Sequence, residues 1–317
     1  MKSDDVQLSL VVPMYNEAEG VDVLFSRLLP VVRALSVSWE IVCVDDGSRD
    51  NTVELLRLQH ANEPRIKLVR LSRNFGKEAA LTAGLAHAAG QMLIPLDADL
   101  QDPPEMIPEM IAKWQQGAKM VIATRRYRHG DGWLKRITAA LFYRFIQRVS
   151  DIYIPANTGD FRLMDRQVVD ALLELRERTR FMKGLFSWVG FPTEQVYYDR
   201  PERAAGETKF RFMSLWRLAL DGIFSFTTLP LKVWTYLGAV ISLISFTYAV
   251  YLVVRTLTHG ADVPGYASLM VAVLFLGGIQ LISLGIIGEY IGRIYRETKQ
   301  RPLYVVHETL GTVERAR

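Results

Sequence analysis

The stretch that decides the fold is MLIPLDADLQDPPE at residues 92–105, a short apolar run followed directly by acidic residues. The run at residues 92–96 predicts a buried β-strand. Asp97 and Asp99 come next, and alternation along an extended chain places their side chains on the same side of the backbone. Carboxylates at a strand end suit Mg²⁺ or Mn²⁺, which commonly share their coordination with substrate phosphates. Taken alone, the triplet is equally consistent with acidic turn residues that bind no ligand.

The second half of the same stretch carries a helix-start signal. Asp102 is followed by two prolines and then by Glu105. Asp is a good N-cap, Pro suits the first helical position, and Glu two residues further on can close the cap. We therefore expect Asp102 to have a structural role. Gln101 lies between the two signals, and it either joins the metal site or faces solvent.

Further short apolar runs predict more strands of the same sheet, at residues 8–12, 40–44, 66–69 and 120–123. Longer amphipathic stretches separate them, which is typical of an α/β fold with a largely parallel sheet covered by helices. Polar clusters follow the strand ends, at residues 16–17, 45–48, 74–77 and 97–99. Because the carboxyl ends of parallel strands share one edge of a sheet, we expect these clusters to converge on one site.

Two of these clusters also have a local explanation. The turn at residues 45–48 is as well explained by a strand-to-helix connection as by nucleotide contact. Residues 74–77 either make a simple turn or present Lys77 to a diphosphate, and we favour the second interpretation. No G-x-G-x-x-G follows the first strand, which argues against a dinucleotide-dependent dehydrogenase.

Two long uncharged stretches predict a membrane hairpin in the last third of the chain. Residues 233–254 and 266–288 carry no formal charge, and each is long enough for a helix to cross about 30 Å of hydrocarbon. A buried hairpin of a soluble protein is the less favoured alternative. Basic residues lie outside the two stretches at Lys209, Arg211, Arg217, Lys232, Arg293, Arg296, Lys299 and Arg301. Only Arg255 and His259 lie between them, so the positive-inside rule places both ends in the cytosol.

The predicted organisation has four parts. These are an α/β domain at residues 1–209, an amphipathic interfacial segment at 210–232, two transmembrane helices at 233–292 and a cytosolic tail at 293–317. Glycines in the second span predict close helix packing, either within the hairpin or between subunits of a homo-oligomer. They are Gly277, Gly278, Gly285, Gly288 and Gly292.

Composition narrows the functional classes. The net charge is +4, but many basic residues flank the apolar stretches, which favours a membrane surface or phosphate over nucleic acid as the partner. The first seven residues carry two acids and no long apolar run, so we expect no secretory signal. Cys43 is the only cysteine, which excludes an intrachain disulfide and a thiolate zinc site.

Three motifs occur in order along the α/β part: VVPMYNE at residues 11–17, VDDGS at 44–48 and DADLQDPPE at 97–105. Together they resemble the family 2 glycosyltransferases with the GT-A fold. Within that family the sequence is similar to the polyprenyl-phosphate glycosyltransferases, which include dolichol-phosphate mannose synthase and the bactoprenol glucosyltransferases. The two-span hairpin resembles the bactoprenol branch.

This resemblance implies a site for a nucleoside-diphosphate sugar. It assigns nucleotide-sugar binding to Pro13, Tyr15, Asn16, Glu17, Asp46, Lys77 and Asp97. It also implies that Asp97, Asp99 and Gln101 hold Mg²⁺ or Mn²⁺ on the diphosphate, where a cation neutralises charge on the leaving group. Asp99 is thereby implied in catalysis.

The resemblance also implies an acceptor site. GDFR at residues 159–162 is similar to the later acidic motif of the family, which makes Asp160 catalytic. A phosphate monoester has a second pKa of about 6 and is mostly anionic at neutral pH, so Asp160 is interpreted either as a base or as a group that orients the acceptor or a metal. The plain alternative is an ion pair of Asp160 with Arg162 or another basic residue.

Basic residues are expected to hold the phosphate of the lipid. Arg200, Arg203 and Lys209 resemble the basic motif of the family near the acceptor and the diphosphate. An earlier basic cluster contributes Arg126 and Arg136, for which a solvated basic surface is the alternative.

The predicted reaction is inverting, metal-dependent transfer of glucose from UDP-glucose to polyprenyl (undecaprenyl) phosphate, at the cytosolic face of a bacterial inner membrane. GDP-mannose as donor remains open, as does an inactive nucleotide-binding membrane scaffold. A processive polysaccharide synthase is disfavoured, because one hairpin is too small for a sugar channel and the sequence has no Gln-x-x-Arg-Trp motif.

Overall fold

The computed structural model describes residues 6–126, 158–175, 177–178, 180–198, 229–259 and 265–311. Eight strands form one sheet: β1 Leu8–Met14, β2 Trp39–Asp45, β3 Ile66–Leu71, β4 Met92–Pro95, β5 Met120–Arg125, β6 Thr158–Asp165, β7 Thr193–Tyr198 and β8 Val306–Leu310. Their order across the sheet is β7-β5-β6-β4-β1-β2-β3-β8. Strands β4, β1, β2 and β3 are parallel neighbours, which confirms the predicted α/β architecture.

The sequence predicts five of the strands, β1 to β5, and omits the other three. Strand β6 runs antiparallel between β4 and β5, and β8 runs antiparallel beside β3. Strand β7 pairs with β5 in parallel at the opposite edge. In β7 the residues are mostly exposed and in β8 the burial alternates, so neither strand shows the continuous burial of β1 and β2.

Helices cover both faces of the sheet. They are α1 Val21–Arg33, α2 Thr52–Asn62, α3 Lys77–His87, α4 Ile107–Gln115, α5 Arg166–Glu174 and α6 Met182–Trp188. Leu10 of β1 packs in the core under α1, α2 and α4, whereas its neighbour Val11 packs in the core under α3, α5 and α6. Gly84 lets α3 approach the sheet closely, because a Cβ there would meet the side chains of Val11 and Val44.

The capping role predicted for Asp102 is wrong. A short 3₁₀ helix at Pro104–Met106 precedes α4, and Pro103 stands at its N-cap position without any side-chain cap. The Asp102 carboxylate instead accepts hydrogen bonds from Tyr198 and Arg125, and the Glu105 carboxylate pairs with Arg27 at 2.9 Å. Asp102 thus forms hydrogen bonds with residues of β5 and β7 instead of the predicted N-cap bond.

Two long helices, α7 Leu229–His259 and α8 Tyr266–Thr298, contain the two predicted spans. Within the part of the chain that the structure describes, Val271–Thr298 is long and apolar enough to cross a membrane, and Val233–Tyr248 is a shorter apolar helical stretch. At the five glycines of α8, no described atom outside the helix backbone lies within 4 Å of where a Cβ would stand. Among the described residues of the hairpin, close packing at these glycines is therefore not seen, and packing between subunits stays a prediction. Residues 210–228 of the predicted interfacial segment lie outside the described residues.

The chain returns from α8 to the α/β domain through β8. The Ser72 N–H donates to the Val305 carbonyl at 2.9 Å, and Arg57 pairs with Glu308 at 2.7 Å. Residues after the hairpin therefore complete the edge of the sheet beside β3.

Candidate active site

Three of the four predicted strand-end clusters meet around Lys77, the first residue of α3, and the fourth, at residues 16–17, bonds to the turn after β2. The Lys77 ammonium lies 2.7 Å from Asp97 Oδ1, just beyond β4, and 2.8 Å from Asp160 Oδ2, in β6. The cluster is open on one side, because 47% of the Lys77 side chain and 37% of the Asp97 side chain are exposed. A ligand can therefore approach Lys77 and Asp97, whereas the Asp160 side chain is only 18% exposed.

Asp46, in the turn after β2, holds the backbone immediately before Lys77 at the start of α3. The Asp46 carboxylate, at the end of β2, accepts the N–H groups of Phe75 and Gly76 at 2.7 and 2.9 Å. Gly76 has a φ of 99°, a left-handed conformation that glycine adopts at little cost. Asp46 therefore positions Lys77 from the adjacent loop, and its predicted contact with the nucleoside stays a prediction.

The three charged groups shift one another's pKa values. Partial burial opposes the charge on Lys77, but Asp97 and Asp160 outweigh it and raise the Lys77 pKa. Burial works to raise the pKa of Asp160, yet Lys77 holds it below its usual value, with help from Lys183 and Arg162. Burial raises the pKa of Asp97 in spite of Lys77. One ammonium thus compensates two carboxylates.

The predicted alternative for Asp160, an ion pair with a basic residue, is met by Lys77 rather than by Arg162. The Arg162 guanidinium donates to the Gly159 carbonyl at 2.7 Å and stacks on the Phe186 ring at 3.9 Å from its centroid. Burial lowers the pKa of Arg162 to about 10, against the attraction of Asp160. Arg162 therefore supports the first residues of β6, next to Asp160, from within the core.

Glu78 is a neighbour that the sequence analysis missed. Its carboxylate accepts the backbone N–H of Met182, and burial raises its pKa to about 7, with a further contribution from Asp160. Lys77 and Lys183 oppose that shift. No motif marks Glu78 in the sequence, because its burial depends on α6 lying beside α3.

The loop after β4 presents the predicted metal ligands. Leu100 has a φ of 55°, and the Gln101 N–H donates to Asp99 Oδ1 at 3.2 Å. Gln101 is 7% exposed, and its Oε1 is a buried oxygen without a hydrogen-bond partner among the described residues. An unpaired buried acceptor of this kind is costly unless a ligand satisfies it.

These residues fit a divalent cation that a ligand also coordinates. Asp97, Asp99 and Gln101 supply the hard oxygens that Mg²⁺ and Mn²⁺ prefer. Within the described ranges, no group of three or more His, Cys, Asp or Glu is arranged to hold a metal. A cation here would therefore need donors from a bound diphosphate in addition to these side chains.

The loop after β1 forms the predicted nucleoside side. Tyr15 is 38% exposed, whereas Asn16, with a φ of 52°, is tied to the next loop. The Asn16 N–H donates to Ser48 Oγ at 2.9 Å, and Asn16 Oδ1 accepts the Arg49 N–H at 2.9 Å. The Glu17 N–H donates to Thr52 Oγ1 at 3.0 Å, and Pro13 stands beside Val44 in the sheet. The nucleoside contacts of these residues stay predictions.

Of the five basic residues predicted to hold the acceptor phosphate, the structure describes Arg126. Its backbone N–H donates to the Tyr198 carbonyl at 3.0 Å, and its side chain is exposed directly after β5. Arg136, Arg200, Arg203 and Lys209 lie outside the described residues.

Two family models match the chain. The model described as glycosyl transferase family 2 matches residues 9–173, and the model described as GtrB C-terminal hairpin matches residues 229–294. The first covers the strands and loops that form the candidate site, and the second covers the two long helices.

Curated relatives align over almost the whole chain. An uncharacterized glycosyltransferase of Synechocystis sp. is 58% identical over 306 residues, covering 96% of this chain and 96% of that protein. The bactoprenol glucosyl transferase of Shigella phage SfV is 49% identical over 301 residues, covering 95% and 98%. A prophage bactoprenol glucosyl transferase homolog of Escherichia coli is 48% identical, with the same coverage. The chain therefore belongs to glycosyl transferase family 2, as a GT-A glycosyltransferase whose C-terminal helices match the GtrB hairpin.

Proposed function

We propose that the chain transfers glucose from UDP-glucose to polyprenyl (undecaprenyl) phosphate, with inversion at the anomeric carbon and with Mg²⁺ or Mn²⁺ on the donor diphosphate. The observation that carries the proposal is the Lys77, Asp97 and Asp160 cluster at the open edge of the sheet. Full-length similarity to proteins named bactoprenol glucosyl transferase supports glucose as the sugar and a polyprenyl phosphate as the acceptor.

On the donor side, the loops after β1 and β2 receive the nucleoside. Tyr15, Asn16, Glu17 and Asp46 lie on these loops and Pro13 lies near the end of β1. The Asn16 N–H donates to Ser48 and Asn16 Oδ1 accepts from the Arg49 N–H, which holds the two loops together. Lys77 directly follows Phe75 and Gly76, whose N–H groups donate to Asp46, and its ammonium lies 2.7 Å from Asp97. When a diphosphate binds, we propose that its oxygens take over part of the contact that Lys77 now makes with Asp97.

Asp97, Asp99 and Gln101 would hold the cation, and the unpartnered Gln101 Oε1 supports this assignment. A cation held there would supply charge neutralisation to the leaving diphosphate. The side chains of this loop would fix the position of the diphosphate relative to Asp160, and so relative to the acceptor.

The proposed step is a single displacement at the anomeric carbon. An oxygen of the acceptor phosphate forms a bond to C1 of glucose while the bond from C1 to the β-phosphate oxygen breaks, and UDP leaves with the electron pair. The acceptor phosphate has a second pKa of about 6, so most of it is already anionic at pH 7 and no proton must be removed. Asp160, held ionised by Lys77, would repel the anionic phosphate at close range, so we propose that it orients the acceptor through a cation, Lys77 or the metal, rather than by deprotonating it.

The acceptor's long hydrocarbon requires the reaction to occur at a membrane surface. The apolar segment Val271–Thr298 and the match to the hairpin model support an integral membrane protein with its catalytic domain in the cytosol. The basic residues that flank the hairpin favour this orientation, and bacterial and phage relatives favour a bacterial inner membrane.

The test is transfer of labelled sugar into lipid extractable by organic solvent, with purified full-length protein, undecaprenyl phosphate and Mn²⁺. Label should pass from UDP-glucose, and both EDTA and Asp99→Asn should abolish transfer. Transfer from GDP-mannose alone would replace the proposed donor. No transfer from any donor, with nucleotide binding intact, would indicate the nucleotide-binding scaffold instead.

A further inference from the structure

Tyr198, the last residue of β7, lies at the centre of a buried hydrogen-bond network. Its hydroxyl donates to Asp102 Oδ1 at 2.6 Å and accepts from Arg125 Nε at 2.9 Å. Arg125 Nη2 also lies 3.4 Å from Asp102 Oδ1. The side chains of Asp102 and Arg125 are 4% and 18% exposed, so both charges are largely removed from water. Buried networks whose members all have partners rigidify the segments they join.

The same tyrosine contacts two other parts of the site. Its ring meets Phe161 edge-on with centroids 6.4 Å apart, and Phe161 directly follows Asp160. Its backbone carbonyl accepts the Arg126 N–H at 3.0 Å. Tyr198 therefore contacts the loop of the predicted metal ligands, the strand of Asp160 and the first predicted acceptor residue.

The metal-ligand loop needs support from outside. Leu100 adopts a φ of 55°, which is unfavourable for a branched side chain, and Asp102 ends the loop one residue after Gln101. Burial raises the pKa of Tyr198, and the negative charge of Asp102 adds to the shift. The hydroxyl therefore remains protonated and donates to Asp102 throughout the physiological range.

We infer that the Tyr198 hydroxyl is a positioning group which, through Asp102, fixes the loop of Asp97, Asp99 and Gln101 relative to Arg126. This inference rests on the proposed function, because it assigns that loop to a metal-bound diphosphate and Arg126 to the acceptor phosphate. Tyr198 does not touch the substrates. It sets the distance between the two phosphate sites through its hydrogen bonds.

The first test is Tyr198→Phe in the full-length protein, with Tyr197→Phe as the matched control. Phe keeps the ring packing against Phe161 and removes only the hydroxyl. Tyr197 is exposed, and its hydroxyl bonds Gln195 on its own strand at 2.9 Å. Calorimetry of UDP binding in the presence of Mn²⁺ should show about tenfold weaker binding for Tyr198→Phe, the loss typical of one hydrogen bond to a buried charge. Without metal the two variants should bind UDP alike, because the hydroxyl acts through the metal-ligand loop.

The second test is a double-mutant cycle with Asp102→Asn. If Tyr198 acts through Asp102, Tyr198→Phe should reduce kcat about tenfold in the wild-type background and less than twofold in the Asp102→Asn background. Unfolding temperatures of all variants should be compared, so that loss of fold is recognised. Should Tyr198→Phe fail to fold, Asp102→Asn alone must show the same metal-dependent loss of UDP affinity.

Two results would overturn the inference. One is Mn²⁺-dependent UDP binding by Tyr198→Phe that equals that of Tyr197→Phe. The other is multiplicative losses in kcat across the cycle, which would separate Tyr198 from Asp102. Failure of the wild-type protein to transfer glucose would refute the proposed function instead, and the calorimetric comparison would still decide the role of Tyr198.

Discussion

Lys77 and Asp160 form a 2.8 Å ion pair that joins the start of α3 to β6. The same ammonium lies 2.7 Å from Asp97, so Lys77 pairs with one carboxylate in the loop after β4 and with one in β6. We interpret this arrangement as the resting form of the site, in which Lys77 occupies the region that a donor diphosphate takes in the proposed reaction.

Replacement of Lys77 should disable transfer. Lys77→Met leaves Asp97 and Asp160 to repel each other and removes a cation from the proposed diphosphate site. We expect kcat/KM for UDP-glucose to fall about 100-fold or more, the scale of losing one charge-stabilising group. Lys113→Met is the control, since Lys113 pairs at 2.8 Å with Glu194 on the protein surface. Equal activity of the two variants would remove Lys77 from the mechanism.

Neutralising Asp160 should affect turnover more than donor binding. In Asp160→Asn the side chain keeps its shape but loses its charge pairing with Lys77, so we expect kcat to fall about 100-fold while UDP affinity changes only a few-fold. Asp170→Asn, at a 55% exposed side chain on α5, makes the same chemical change away from the site. Near-normal turnover in Asp160→Asn would contradict the assignment.

A substitution at Gln101 should weaken metal binding without destabilising the fold. Because Gln101 Oε1 has no described partner, Gln101→Leu breaks no hydrogen bond at this atom and should not lower the unfolding temperature. It does remove a proposed ligand, so the Mn²⁺ concentration for half-maximal transfer should rise about tenfold. A variant that is destabilised but has an unchanged Mn²⁺ requirement would identify Gln101 as structural.

Glu78 should give the stability a measurable pH dependence. Burial raises its folded pKa from 4.5 to about 7, so the native state binds the extra proton between these values. Its contribution to the free energy of unfolding therefore falls as the pH rises through that range. Glu78→Gln removes the titration, and its stability relative to wild type should increase by about 1–3 kcal/mol between pH 4.5 and pH 8.

Thermal unfolding at a series of pH values checks the Glu78 prediction. The exposed Glu109→Gln on α4 serves as the matched substitution and should follow the wild-type curve. Parallel curves for wild type and Glu78→Gln would show that Glu78 does not titrate in this range.

The central sheet was predictable because its strands are buried on both faces. The largely apolar stretches at residues 8–12 and 40–44, with Ser9 and Glu40 as their polar members, become the fully buried centres of β1 and β2. Strand β8 was not predictable, since Val306–Leu310 alternates partly buried and exposed residues and gains its partner from a distant part of the chain. Local patterns report burial well and long-range pairing poorly.

The same distinction between local pattern and long-range pairing explains which features of the site were predictable. Convergence of Lys77 with Asp97 follows from the parallel sheet, in which strand ends meet at one edge. The structural role predicted for Asp102 is confirmed, but its predicted capping mechanism is wrong, because Asp-Pro-Pro-Glu is a local capping signature while its partner Tyr198 lies 96 residues away. Contacts that arise only from tertiary packing cannot be predicted from the spacing of residues along the sequence.

The nucleotide released during the reaction tests the central claim most directly. Purified protein should be given UDP-glucose labelled in the sugar, undecaprenyl phosphate and Mn²⁺, and both the lipid product and the free nucleotide should be quantified. The account predicts one UDP for each labelled glucose that enters the lipid, and loss of both products in Lys77→Met. Release of UMP would show transfer of glucose 1-phosphate and contradict direct attack on the sugar carbon, as would UDP release without labelled lipid.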